Sequence, residues 1–206
     1  MYRIFYAERD TTIYERYPKQ NTGIDQILEL TKIASGSKLN GIIQNNTYNS
    51  RFLIDFGSGI NTISSSILAG DIPDIVLGHP ASASAYLVLR AADATDLLHS
   101  YTIKAYPVSQ SWTNGNGMYS DEPIQKYGAS WRYRTSDDVA DEWHTGSNDA
   151  AASAGQTGST EPNGGGSWMT GSGFEASQSF TNESPDIRMN VTDIVQHWLS
   201  GSIDNN

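Results

Sequence analysis

From Thr113 to about Pro185 the chain is rich in Gly, Ser, Asn and Asp, and the stretch at 147–168, SNDAAASAGQTGSTEPNGGGSW, holds almost no large apolar residue. Alone, such a segment reads as a linker. Aromatic residues resume on both sides of it, however, so it predicts a long loop near 147–167 on one end of a fold, not a domain boundary. The stretch just before, SWTNGNGMYSDEPIQKYGASWRY (111–133), carries two tryptophans and three tyrosines broken by Gly, Asn and Pro. It cannot be a helix, and it is too polar for an ordinary core strand. A chain with this second half must fill its core from short strands and isolated aromatic residues.

The first half supplies the aliphatic residues, since Leu, Ile and Val concentrate before about residue 110. At 206 residues the chain is expected to form a single β-sandwich domain over 1–206. Its formal charge is -10 and its pI about 4.6. That balance disfavours nucleic acid, whose binders need Lys and Arg to displace counterions from phosphates, and an anionic membrane surface. It suits solubility, or weak binding of a cation such as Ca²⁺. With no Cys there is no disulfide, thiolate zinc site or Cys nucleophile, and the compartment stays open. The N-terminal MYRIFYAERD has no apolar run after a basic region, so no secretory signal is read there. No window approaches the ~20 apolar residues of a membrane-spanning helix.

Alternation predicts strands at 2–6 (YRIFY), 11–18 (TTIYERYP, ended by Pro18) and 26–33 (QILELTKI), the last also readable at a helical period. Turn signals stand at Asn40-Gly41 and Asn45-Asn46, and SRFLIDF (50–56) follows with Phe52, Ile54 and Phe56 expected on one face. Ile60, Ile63, Ile67 and Leu68 recur at helical spacing, with Gly70 as the stop. Strands are expected at 83–93 and at 101–112, where Tyr101, Ile103, Ala105 and Pro107 share a face. At the end DIRMNV (186–191) reads as a strand. Thr192 is the N-cap candidate of a helix striped by Ile194, Val195, Trp198 and Leu199, and Gly201 is its stop. Short strands, turn signals and one or two short helices in connections indicate an all-β sandwich.

Six stretches in order carry a resemblance: TTIYERYPKQNTG, SRFLIDF, YTIKAYPVSQSWTNGNG, GASWRYRTSDD, GGGSW and DIRMNVTDIVQHWLSG. Together they span nearly the whole chain and resemble the DNRLRE-type domain, a jelly-roll β-sandwich family related to some carbohydrate-binding modules. With GFEASQSFTNESPDIRMNVT the chain is similar to the variant found in virion structural proteins of contractile-tailed bacteriophages, those of marine cyanobacteria in particular. Two departures stand out. The family's basic, strand-forming landmark reads SRFLIDF here, and members continue after the WLSG helix with a last apolar strand. That closing strand is expected beyond Asn206; alternatively another chain fills the open edge.

No catalytic constellation is read. His79, His99, His144 and His197 form no metal-ligand spacing, and Asp193–His197 is a surface i,i+4 pair before it is a dyad. There is no nucleophile elbow and no phosphate loop. The carboxylates Asp137, Asp138, Asp141 and Glu142 read first as a solvated face. Asp137, Asp138 and Asp141 are the candidates for a structural Ca²⁺, without EF-hand spacing. Trp112 and Trp198 are expected in the core. Trp131, Tyr133, Trp143 and Trp168 read first as a cover for the open end of the sandwich, and second as a stacking platform for a sugar ring.

The resemblance therefore implies a non-enzymatic structural component of a phage virion, in tail, baseplate or fibre. It would act in assembly among other virion proteins, as a homo-oligomer or in many copies, and in adhesion to a host-surface glycan. The alternative is a carbohydrate-binding module of a secreted or surface polysaccharide-acting protein, located outside the cell. No cofactor other than Ca²⁺ is expected.

Overall fold

The computed structural model describes residues 2–39, 42–73, 83–93, 100–137, 139–144, 156–158, 164–181 and 186–204, with backbone alone at 34–39, 42–46, 139 and 156–158. Most of the 147–167 loop, Asp138, His79 and His99 lie outside the described residues. The chain is predominantly β, with antiparallel strand pairs and two short helices. It groups into two compact units, one drawn from residues within 1–6, 56–107 and 169–205, the other from 7–55 and 108–168.

The second of these units is built on a three-stranded sheet of β1 (Arg9–Tyr14), β2 (Lys32–Leu39) and β3 (Ile42–Asp55), ordered β1-β3-β2. Strands β2 and β3 pair antiparallel up to Leu39 and Ile42, and the turn expected at Asn40-Gly41 lies outside the described residues. The second turn signal is overridden: Asn45 and Asn46 lie within β3, paired with Gly36 and Ser35. A run of fourteen residues, paired with β2 over its first part and β1 over its second, outweighs their local turn preference.

Strand β1 is covered on both faces. Ile13 sits in a cluster with Leu53, Trp112, Ala129, Trp131 and Trp143. On the other side the Thr22 hydroxyl donates to the Thr12 carbonyl at 2.6 Å, and the Glu29 amide donates to Thr12 Oγ1 at 3.0 Å. Leu53, opposite Thr11, is the core residue of SRFLIDF, in place of the expected Phe52, Ile54 and Phe56. Nor is 26–33 one strand, because the backbone is irregular until Lys32. Ile24, Ile27, Leu30 and Ile33 are all exposed, so alternation there does not report burial.

The other unit pairs β4 (Tyr86–Leu89) with β9 (Ile187–Asn190) and β5 (Ser100–Ala105) with β8 (Ala176–Thr181). Tyr101 and Phe180 face each other across β5 and β8 and stack at 4.8 Å. Strand β5 ends at Ala105, earlier than expected. The helices α1 (Gly59–Leu68) and α2 (Thr192–Leu199) bury Ile63 and Val195 together, and Met189, Ile194 and Ala176 form a neighbouring cluster. Leu68 faces solvent, outside the stripe, and Gly70 and Gly201 end the helices at positive φ.

Thr192 is not the cap. Asn190 Oδ1 accepts the Thr192 amide and hydroxyl, while Thr192 Oγ1 accepts the Ala85 amide at 2.9 Å and so ties the helix start to the approach of β4. Residues 2–6 form no strand. Arg3 reaches Asp71 and Phe5 packs in the helix cluster, while Tyr2, Ile4 and Tyr6 are 85, 63 and 81% exposed. Two short strands, β6 (Gln156–Gly158) and β7 (Ser167–Met169), pair with each other.

Candidate functional site

The aromatic residues expected either as cover or as platform are mostly core. Trp131 and Trp143 are each 2% exposed and Tyr133 4%; Trp168 is half-buried. Their faces are already used. The Arg51 guanidinium lies 4.9 Å from the Trp131 ring centre and 5.0 Å from that of Trp168, and it donates to the Gly165 carbonyl. Trp143 donates its indole N–H to the Ser130 carbonyl at 2.9 Å. Arg9 stacks 4.7 Å over Trp112 and bridges Asp55 at 2.6 Å. These four residues therefore do not form an open stacking surface: a sugar would have to displace arginine or open the core. GGGSW serves the same packing. Gly164 has φ 134°, and a Cβ there would overlap the Trp131 carbonyl.

The Gly- and Asn-rich segment from 113 to 129 is organised by one buried side chain, Asn21. Its amide nitrogen donates to the carbonyls of Asn114 (2.7 Å) and Ala129 (2.8 Å), and its oxygen accepts the Gly117 amide at 2.8 Å. Gly115 passes so close, at φ 83°, that a Cβ would overlap the Asn21 side chain. The glycines of NGNG thus permit close approach to a fully satisfied buried amide.

The acidic cluster is occupied by protein cations. Asp137 accepts from Lys19 Nζ at 2.8 Å and Lys126 Nζ at 2.9 Å, and these bonds hold its carboxyl well below the usual range. Asp141 accepts from the Thr135 and Ser136 hydroxyls, which lower its pKa, with Arg134 at 3.7 Å. Both Asp137 oxygens face ammonium groups, Asp141 faces hydroxyls and Arg134, and Asp138 lies outside the described residues. Among the described residues no three His, Asp or Glu side chains gather as ligands. His197 packs on Phe174, ring centres 4.3 Å apart, and contacts Ser202 Oγ at 2.9 Å.

The open aromatic surface lies elsewhere, in tyrosines. A small recess is lined by Tyr14, Arg16, Tyr17, Glu29, Tyr48 and Tyr119, with Thr31, Ile33 and Asn49. Tyr14 ends β1, Arg16 and Tyr17 lie in the turn after it, Tyr48 is in β3 opposite Ile33, and Tyr119 comes from the loop that Asn21 organises. Tyr119 stands at the corner, 5.1 Å from Tyr14 and 5.6 Å from Tyr17, the latter edge-on at 83°. It is 48% exposed and Tyr17 36%.

Several polar groups of the wall are held by hydrogen bonds. The Tyr14 hydroxyl donates to Glu29 Oε2 at 2.9 Å, and burial, then that bond, pushes the phenol far above its ordinary pKa. The Thr31 amide donates to Ser50 Oγ at 2.7 Å. Glu15 Oε2 accepts the Asn49 amide at 2.7 Å and its side-chain nitrogen at 2.9 Å. Gln20 donates to the Tyr119 carbonyl at 2.7 Å, and Asp25 accepts the Tyr119 amide at 3.1 Å. A bond with Tyr17, then burial, raises the Tyr119 phenol.

Sequence reasoning missed this recess. Its signal was the pair of tyrosines flanking Glu15 and Arg16 in IYERYP, which were read only as strand residues. Comparison with family models, with curated proteins and with solved structures gives no match.

Proposed function

We propose that this chain is a non-enzymatic structural domain of a bacteriophage virion, a jelly-roll β-sandwich in tail, baseplate or fibre. It is present in several copies among other virion proteins and adheres to a host-surface glycan. The observation that carries the reading is where the six landmark stretches fall. TTIYERYPKQNTG supplies Ile13 and Asn21, SRFLIDF supplies Arg51 and Leu53, and GASWRYRTSDD supplies Ala129 and Trp131. GGGSW packs on Trp131, YTIKAYPVSQSWTNGNG gives β5 and Trp112, and DIRMNVTDIVQHWLSG gives β9 and α2. A resemblance concentrated in core-building contacts is what a shared fold requires, whereas one confined to surface residues would carry no such weight.

The open tyrosine recess favours a second reading, a carbohydrate-binding module outside the cell. The two part on mass spectrometry and electron microscopy of the native source. Fixed copy number in a phage particle supports the virion reading. Recovery of the chain joined to a polysaccharide-degrading domain, and absent from particles, overturns it in favour of the second.

A further inference from the structure

We infer that the Tyr14–Tyr17–Tyr119 recess is a binding site for a neutral pyranose ring, an inference that rests on the adhesion part of the proposed function. The aromatic faces come first. Tyr17 and Tyr119 meet nearly at right angles and keep a third to a half of their surface in water, although both have aromatic neighbours available to bury them. A corner of this kind offers one face to the C–H side of a flat, saturated ring and one edge to its rim.

Hydrogen-bonding capacity comes next. Glu29 supplies a carboxylate, Arg16 a guanidinium, and Thr31 and Asn49 neutral polar groups, which is the mixture that vicinal hydroxyls need as both donors and acceptors. Charge then selects among ligands. Arg16 already lies 5.6 Å over the Tyr17 ring, so an ammonium ligand meets a like charge at that face. Glu29 on the wall, with Glu15 and Asp25 holding it from behind, repels an anionic sugar. Arg16 opposes a cation at the aromatic face and the carboxylates oppose an anion, leaving a neutral ring as the ligand that fits.

Finally, much of the wall is fixed before binding: the Glu29, Thr31 and Asn49 amides and the Tyr119 carbonyl are each held by a separate partner behind the lining, Thr12, Ser50, Glu15 and Gln20. Binding therefore orders few side chains, which lowers its entropic cost.

The test uses the full chain, titrated by calorimetry and by NMR of the tyrosine rings. The probes are malto-, cello-, manno- and galacto-oligosaccharides, with oligogalacturonate and tetramethylammonium as charged comparators. At least one neutral series is expected to bind with Kd on the order of 0.1–1 mM, typical of a small open site. Tyr119→Ala and Tyr17→Ala should each weaken it roughly tenfold, the scale of one lost aromatic contact. Tyr119→Phe should retain binding, and thermal melts of all three variants should stay near that of the parent chain.

Binding of a charged comparator alone overturns the inference. Neutral binding unchanged in both Ala variants overturns this recess while leaving glycan adhesion standing. Absence of neutral-sugar binding in a chain found at fixed copy number in particles overturns the inference without touching the structural reading. Absence from particles overturns that reading whatever the titrations give.

Discussion

Two aromatic assemblies sit in the same compact unit and meet opposite fates. Around Trp131, an arginine lies against two rings, a backbone carbonyl takes the Trp143 N–H, and Trp131 and Trp143 are buried in the core. Around Tyr119, the neighbours hold the loop backbone and leave the ring in water. The difference is not aromatic content. In the first group cations and carbonyls reach buried rings; at Tyr119, Gln20 and Asp25 hold the peptide groups while the ring meets other tyrosines at its edge. An aromatic residue becomes available for binding when its position is secured through its backbone, because then its side chain is not needed for stability.

The largest expected effect tests that division directly. Trp131→Ala should lower unfolding stability by about 3–5 kcal/mol, the usual cost of truncating a buried tryptophan, whereas Tyr119→Ala should cost less than about 1 kcal/mol. Urea denaturation of both variants measures the contrast, and equal losses would erase the distinction.

Asn21→Ala comes next. It leaves the Asn114 and Ala129 carbonyls and the Gly117 amide without their buried partner, for an expected loss of about 2–4 kcal/mol. Because Asn21 sets the loop that carries Tyr119, this variant should also lose saccharide binding, unlike a core truncation remote from that loop. Hydrogen exchange at 113–129 would locate the damage.

Arg51→Lys keeps the charge but loses the planar group between Trp131 and Trp168, with a smaller expected cost of about 1–2 kcal/mol by thermal melting. The smallest effect belongs to Asp137. Its folded pKa is depressed, so its contribution is present above the ordinary carboxylate range and is lost as pH falls through the folded value. Asp137→Asn should lower Tm by only about 1–2 °C near pH 7, because the Lys19 and Lys126 bridges are partly exposed. The deficit relative to the parent chain should disappear in strong acid, which pH-dependent melts would show.

Much of the fold was legible wherever pattern and burial agree. Strand β9, helix α2 and its Gly201 stop, and helix α1 with Gly70 all follow from spacing that tertiary contacts then use. The failures share a cause. YRIFY and QILELT alternate, yet Tyr2, Ile4, Tyr6, Ile27 and Leu30 face solvent and only Phe5 finds a cluster to pack in, so periodicity there did not report burial. Strand β8 went unread because serines occupy its outer face in ASQSFT; only its pairing with β5 makes Ala176 and Phe180 core. The candidate site was less legible still. Tyr14, Tyr17 and Tyr119 meet only because Asn21 brings the loop at 113–129 beside the end of β1, and no local pattern encodes a contact across about a hundred residues.

That distance has a consequence for how the chain is made. Asn21 is bonded to groups 93, 96 and 108 positions further on. On a ribosome it emerges early and waits, at ~5–20 residues per second, several seconds or more for Ala129 to follow. Until then strand β1 has no lid over the Ile13 side, and its apolar residues are exposed to other nascent chains. Expression yield should therefore depend on how quickly residues 22–143 are translated: slow codons in that interval prolong the unguarded state, and the same codons after it do not.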